Sequence, residues 1–256
     1  MDLTTLAGLG GVGLVAGFVD SIAGGGGLIC LPALLIALHD PVAALATNKL
    51  QGTFGTASAT QSFWQRGLLH PAEHKAAVAM VFIGAALGVL AVHYAPTTLL
   101  AGILPPLLIV IALYFALSPK LSDQASHPRL DLRWFTFGFA PLIGFYDGVF
   151  GPGTGSFFML ALVTLFGLGM VEATGRTKLF NFTSNIAALL LFALGGKIVW
   201  LVGLVMGVGQ LIGAQLGSHM AIRNGTKLIR PLLVIVCIAM AAKLLWDPSN
   251  PIRQLF

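Results

Sequence analysis

Ten apolar runs follow one another along the 256 residues, at 3–22, 27–38, 42–64, 76–94, 97–117, 134–150, 154–169, 173–194, 198–219 and 229–246, with only short polar joints between most of them. Backbone immersed in hydrocarbon must satisfy its own N–H and C=O groups, which leaves helices or a closed barrel. A barrel would show alternating strands of about ten residues, whereas several of these runs approach the roughly 20 residues with which a helix crosses about 30 Å of hydrocarbon. The chain is therefore expected to be an all-α integral membrane protein of about 8–10 transmembrane or re-entrant helical segments. Charged residues are 9% of the composition, against roughly 25% in a soluble domain, and no polar stretch is long enough to form one. The runs 27–38 and 154–169 are short. Each fits either a tilted span or one arm of a re-entrant hairpin.

The extended polar segment SPKLSDQASHPRLDLR, residues 118–133, divides the chain into halves that resemble each other. GFVDSIAGGGG (17–27) aligns with GFYDGVFGPGT (144–154), pairing Gly17, Phe18, Asp20, Gly24 and Gly26 with Gly144, Phe145, Asp147, Gly151 and Gly153. Further on, Lys49-Leu50 matches Lys178-Leu179, and GAALG (84–88) matches GAQLG (213–217). Apolar matches arise easily by chance in such a composition; acids and lysines recurring in register do not. We expect residues 1–117 to form a first repeat, 118–133 a cytoplasmic linker and 134–256 a second repeat. Five segments per half, or three spans and a hairpin, invert the second repeat relative to the first.

Loop charge tests that inversion independently. With the N-terminus outside, Arg66, Lys75, Lys120, Arg129, Arg133, Arg223, Lys227 and Arg230 all fall on one side, while the opposite joints hold little beyond Lys197, Lys243 and Arg253. The excess of Lys and Arg in cytoplasmic loops makes the crowded side the cytoplasm and puts both termini outside. The net charge of +5 is thereby explained by topology, and nucleic acid is not an expected partner. No basic segment or A-x-A site flanks the first run, so a cleaved signal peptide is not expected. Cys30 and Cys237, each inside an apolar run, suit packing better than a disulfide, a metal site or redox chemistry. No metal and no cofactor are expected.

Inverted repeats broken by glycine or proline at matching positions point to a secondary transporter with a central substrate site. Gly24, Gly25, Gly26 and Gly27, and Gly151, Gly153 and Thr154 in the second half, can bare backbone N–H groups at the start of the next helix, whose positive dipole end favours an anion. The competing reading gives these glycines only tight turns and close packing. Asp20 and Asp147 precede the two breaks, where a carboxylate accepts protons, binds a cation, or caps the loop that follows. Lys49 and Lys178 stand about 5–7 residues, or about 8–10 Å, inside their runs, and either snorkel to the interface or coordinate the anion. Asn48, Thr53, Thr177, Asn181 and Asn185 would add neutral hydrogen bonds, or else serve helix association. Arg176 is nearer the helix end and reads as an anchor, and the six histidines sit at or near joints.

Two local motifs are set aside. GLGGVG (8–13) follows no strand and so is not a dinucleotide fingerprint, and GPGTGS lacks the phosphate-loop lysine. The sequon Asn224-Gly225-Thr226 falls on the cytoplasmic side.

Two copies of G-F-x-D…G-x-G, each followed by a helix start like A-T-x-K-L, resemble the sulfite exporter TauE/SafE family of membrane permeases over essentially the whole chain. The second copy departs in reading GPGTG for GGGG and GRTKL for TNKL. The resemblance implies a carrier, with export as its direction, of sulfite, thiosulfate, sulfonates or related organic anions across a bacterial inner membrane, without ATP and without enzymatic chemistry. Its partners would be a small anionic substrate, the lipid bilayer and, as candidate coupling ion, protons. The alternatives are a cation or proton-coupled carrier using Asp20 and Asp147, and a non-transporting membrane scaffold.

The loop asymmetry predicts a labelling pattern. In a background lacking Cys30 and Cys237, single cysteines at Ser126 and Asn224 are shielded from an impermeant thiol reagent in intact cells, and one at Thr97 is labelled. Labelling of the Ser126 position from outside reverses the orientation.

Overall fold

A computed structural model of the chain describes residues 2–91, 113 and 123–246, and these are helical with no strand among them. The helices are α1 (Leu3–Ala23), α2 (Gly26–Leu38), α3 (Pro41–Gln65) and, after a 3-10 turn at Pro71–His74, α4 (Lys75–Ala91). Beyond the linker, a single turn at Leu132–Trp134 and a π-helical stretch at Phe135–Phe139 lead into α5 (Ala140–Val149). Then come α6 (Thr154–Thr164), α7 (Met170–Leu194), α8 (Trp200–Asn224) and α9 (Thr226–Trp246). The expected run 97–117 lies outside the described residues except for Leu113, as do His93, Thr97, Lys120 and Arg253. Among the described residues, Leu3–Ala23, Pro71–Ala91, Met170–Leu194 and Trp200–Asn224 are long and apolar enough to cross a membrane. The chain is an all-α, multi-pass membrane protein.

Helix starts follow from local chemistry. Asp2 caps α1 by accepting from the Thr5 N–H, and Asp40 caps α3, with Pro41 in its first turn, by accepting from the N–H groups of Val42 and Ala43 at 2.9 and 3.1 Å. α3 is too polar to pass as an apolar span, yet it is largely buried. Four of its hydroxyls are satisfied on its own backbone: Thr53, Thr56, Thr60 and Ser62 donate to the carbonyls of Lys49, Gly52, Thr56 and Ser58.

Each short run is the return arm of a hairpin. α1 stops at Gly24, whose φ of 79° is left-handed, and α2 then runs back along α1, with Ala33, Ile36 and Ala37 around Asp2, Thr5 and Leu9. α6 returns along α5 in the same way, with Tyr146 against Phe157 near the break and Phe135 and Phe139 against Phe166 at the far end. With 13 and 11 residues, α2 and α6 reach only about 20 and 16 Å.

Glycine contacts let the helices approach at backbone distance, at positions that the alignment of the two halves pairs. A methyl at Gly17, Gly213 or Gly217 would run into the backbone of Gln210, Leu14 or Phe18 between α1 and α8. One at Gly144, Gly84 or Gly88 would meet Val81, Pro141 or Phe145 between α5 and α4. Small residues allow this approach where lipid supplies no hydrophobic drive to association.

The basic loops gather at one end of the bundle. Arg66 meets His219, His74 packs on Phe180, the Ser126 N–H bonds Gly167, and Asp123 caps Thr226, which brings Arg66, Lys75, Arg129, Arg133, Arg176, Arg223, Lys227 and Arg230 to that end. The start of α1, the turn at His39 and Asp40, and Lys197 occupy the other end, where the Val199 N–H bonds Thr47.

The glycine contacts predict a contrast in thermal unfolding of the detergent-solubilised protein. Gly213→Val is expected to cost about 1–3 kcal/mol through overpacking between α1 and α8, whereas Gly11→Ala, with nothing within 4 Å of its added methyl, leaves the melting temperature near that of the parent.

Candidate functional site

The two hairpins enter from opposite ends and their tips cross at backbone contact, where a Cβ on Gly24 would lie 2.6 Å from the Cα of Gly155. Gly151 and Gly153 turn the second tip at φ of 90° and 85°, which only glycine adopts readily. Ser156, in the first turn of α6, donates to the Ala23 carbonyl at the end of α1 at 3.4 Å. Asp20 accepts from the Gly26 N–H at 3.0 Å, and Asp147 accepts from the Thr154 hydroxyl at 2.8 Å, so each acid bonds the first residue of the helix after its own break.

Each tip is also gripped by a lysine from the other half. Lys49, the ninth residue of α3, donates to the Asp147 carbonyl at 2.7 Å and lies 3.0 Å from its Oδ1. Lys178, the ninth residue of α7, donates to the Asp20 carbonyl and lies 3.7 Å from its Oδ2. Both lysines are about 12 Å inside their helices and almost fully buried, at 1% and 0% exposure, so neither snorkels to the interface. The pairing has a clear cause: a helix C-terminus exposes carbonyls carrying partial negative charge, and an ammonium beside them satisfies both carbonyl and carboxylate.

Between the tips lies a cavity of about 40 Å³. The N-terminal turns of α2 and α6 face it through Gly27, Thr154 and Gly155. Asp20, Asn48, Lys49, Asp147, Asn181 and Asn185 line it as well, together with Gly24, Gly151 and Gly153. The remaining expected residues do not. Gly25 packs toward Val236 of α9, and a methyl on Gly26 would meet the Asp20 Cβ rather than a ligand. Thr53 donates along its own helix, Thr177 is buried with no partner for its hydroxyl, and Lys178 faces Asp20 beyond the cavity wall.

Gly155, the last residue of the GPGTG break, lines the cavity too, as do Gln51, Gly52, Thr56 and Gln210, which were not singled out from the sequence. Gln210 had a signal, a lone amide in the otherwise apolar start of α8; Gln51 had one too, three residues after Asn48, to whose Oδ1 it donates at 2.7 Å. The cavity therefore offers two helix N-termini and a set of neutral amides, with its two acids matched to lysines. Such a lining suits a small polar solute of negative charge. Among the described residues, no group of three or more His, Cys, Asp or Glu could hold a metal ion.

The Lys49–Asp147 pair predicts a stability asymmetry. Lys49→Met leaves a buried carboxylate unpaired and is expected to cost about 3–5 kcal/mol, whereas Lys49→Met with Asp147→Leu recovers most of that loss. Equal melting temperatures for the single variant and the parent would show that the pair carries no stability.

Residues 9–244 match the family described as sulfite exporter TauE/SafE. The chain is 54% identical over 239 residues to the probable membrane transporter protein ORF9 of Sinorhizobium sp, covering 93% of this chain and 92% of that one. It is 50% identical over 236 residues to the probable membrane transporter protein YfcA of Escherichia coli K12, covering 92% and 88%. A probable membrane transporter protein of Haemophilus influenzae is 45% identical over 236 residues, 92% of each chain. No solved structure matches. With a family match across nearly its whole length and relatives at about half identity, the chain belongs to the sulfite exporter TauE/SafE family.

Proposed function

We propose that this protein is a secondary transporter that carries a small sulfur-containing or organic anion, such as sulfite, thiosulfate or a sulfonate, across the bacterial inner membrane by alternating access. The observation that carries the proposal is the cavity where the N-terminal turns of α2 and α6 converge among Asn48, Gln51, Asn181, Asn185 and Gln210. Helix N-termini favour an anion, and amide groups hold it without binding it irreversibly. The family description supports export as the direction and a sulfur oxyanion as the substrate class. The two halves act as inverted repeats about the cavity, the basic end faces the cytoplasm and both termini face outward. The solute leaves chemically unchanged.

A cation carrier is less well supported, because Lys49 and Lys178 lie against the two carboxylates a cation would need. A scaffold would have no use for a polar cavity at the hairpin tips.

Counterflow of labelled sulfite, thiosulfate or a simple sulfonate into proteoliposomes containing only this protein tests the proposal. Exchange of at least one of these anions, and of no alkali cation, is expected. Asn181→Leu, which removes up to two hydrogen bonds, should lower exchange at subsaturating substrate about tenfold, the equivalent of about 1.4 kcal/mol. Cation exchange with no anion exchange would overturn the assignment.

A further inference from the structure

The two lysine clamps sit at different depths in the bundle. Along the antiparallel α3 and α7, Gly52 meets Asn185 and Phe63 meets Gly175, a register that sets Lys178 opposite Ala59 or Thr60. Lys178 is thus about ten residues, or about 15 Å, nearer the basic end than Lys49. The cavity residues Gln51, Gly52 and Thr56 on α3, and Asn181 and Asn185 on α7, fall between those two levels. Asp147, held by Lys49, bounds the cavity toward the N-terminal end; Asp20, held by Lys178, bounds it toward the basic end.

The clamps are also unequal. Lys49 is within 3.0 Å of a carboxylate that is 6% exposed, whereas Lys178 stands 3.7 Å from one that is 14% exposed. The two carboxylate contacts therefore differ in length, while each lysine also donates to the carbonyl of the same aspartate.

We propose that the two clamps are the two gates of the carrier, Lys178–Asp20 closing the cavity toward the basic loops and Lys49–Asp147 closing it toward the N-terminal end. The proposal rests on the transport function given above. Each clamp fixes the tip of one hairpin to a long helix of the other half, so releasing it lets that tip withdraw while the other clamp still closes its own end. Opening one gate at a time is what alternating access requires.

The test reads access rather than transport. Asn185→Cys, in a background carrying Cys30→Ala and Cys237→Ala, places a thiol in the cavity, and an impermeant thiol reagent is applied to intact cells and to inverted vesicles. A separate cysteine at Ser126 identifies the side of the basic loops. Adding Asp20→Asn is expected to raise the labelling rate from the basic side about tenfold, the population shift that follows loss of one charge-assisted hydrogen bond, and to leave the other side unchanged. Adding Asp147→Asn should do the reverse. The neutral pairs Lys178→Met with Asp20→Asn, and Lys49→Met with Asp147→Asn, bury no unpaired charge and carry the test where a single variant does not fold. Labelling that rises from one and the same side for both clamps, from both sides equally, or from neither, overturns the proposal. Side-specific labelling without anion counterflow would keep the gates and sink the anion assignment; counterflow without side-specific labelling would do the opposite.

Discussion

A helix that stops inside hydrocarbon leaves carbonyls with no partner, and water is not there to satisfy them. This chain stops two helices that way, at Gly24 and after Val149, and at each stop a buried lysine of the other half donates to a carbonyl near the helix end. The lysine cannot be buried alone any more than the broken end can. The carboxylates of Asp20 and Asp147, one turn before the ends, complete a set in which ammonium, carboxylate and backbone break each need the other two. The rest of the architecture serves to bring those groups together.

Reaching across the bundle requires helices closer than ordinary side chains allow. Gly13 and Gly17 of α1, Gly84 and Gly88 of α4, Gly144 and Gly148 of α5, and Gly209 and Gly213 of α8 supply that closeness, and their nearest partners are backbone atoms rather than side chains. The polar sequence of α3 fits the same requirement. Hydroxyls bonded to their own helix at four-residue spacing let a helix carry Asn48, Lys49 and Gln51 through the centre of the molecule at little cost in unsatisfied groups. The exceptions among the described residues are instructive. The buried atoms without a partner, Gln51 Oε1, Thr177 Oγ1 and Asn181 Oδ1, all lie on α3 and α7, the helices that face the cavity and carry the clamping lysines. Buried polar groups left unpaired are costly, and here that cost falls on the two helices that line the cavity.

Much of this was legible in the residues. The apolar runs gave the class and the approximate helix bounds, because burial of backbone in lipid admits few solutions. The paired G-F-x-D breaks and the paired lysines marked positions that the fold brings together, because charges recurring in register in an apolar chain have few trivial origins. The lysine depth was underestimated, since α3 and α7 begin one to three residues before the apolar runs do, at Pro41 and Met170. Polar residues such as Glu172 are compatible with a first helical turn, and a hydropathy boundary cuts them off.

What the sequence alone determined is local: which segments are helical, where the backbone must break, and which residue types stand at the breaks. A residue's neighbours along the chain and its cost of immersion in lipid are enough to establish those points. Only the tertiary structure decided that the short runs turn back along their predecessors, that Lys49 serves Asp147 and Lys178 serves Asp20, and that Gln51 and Gln210 join the cavity. Lys49 and Asp147 are 98 residues apart in the chain, and Lys178 and Asp20 are 158 apart. No periodicity in a linear pattern encodes which of two equivalent lysines meets which of two equivalent acids; the crossing of the hairpin tips at Gly24 and Gly155 settles it in space.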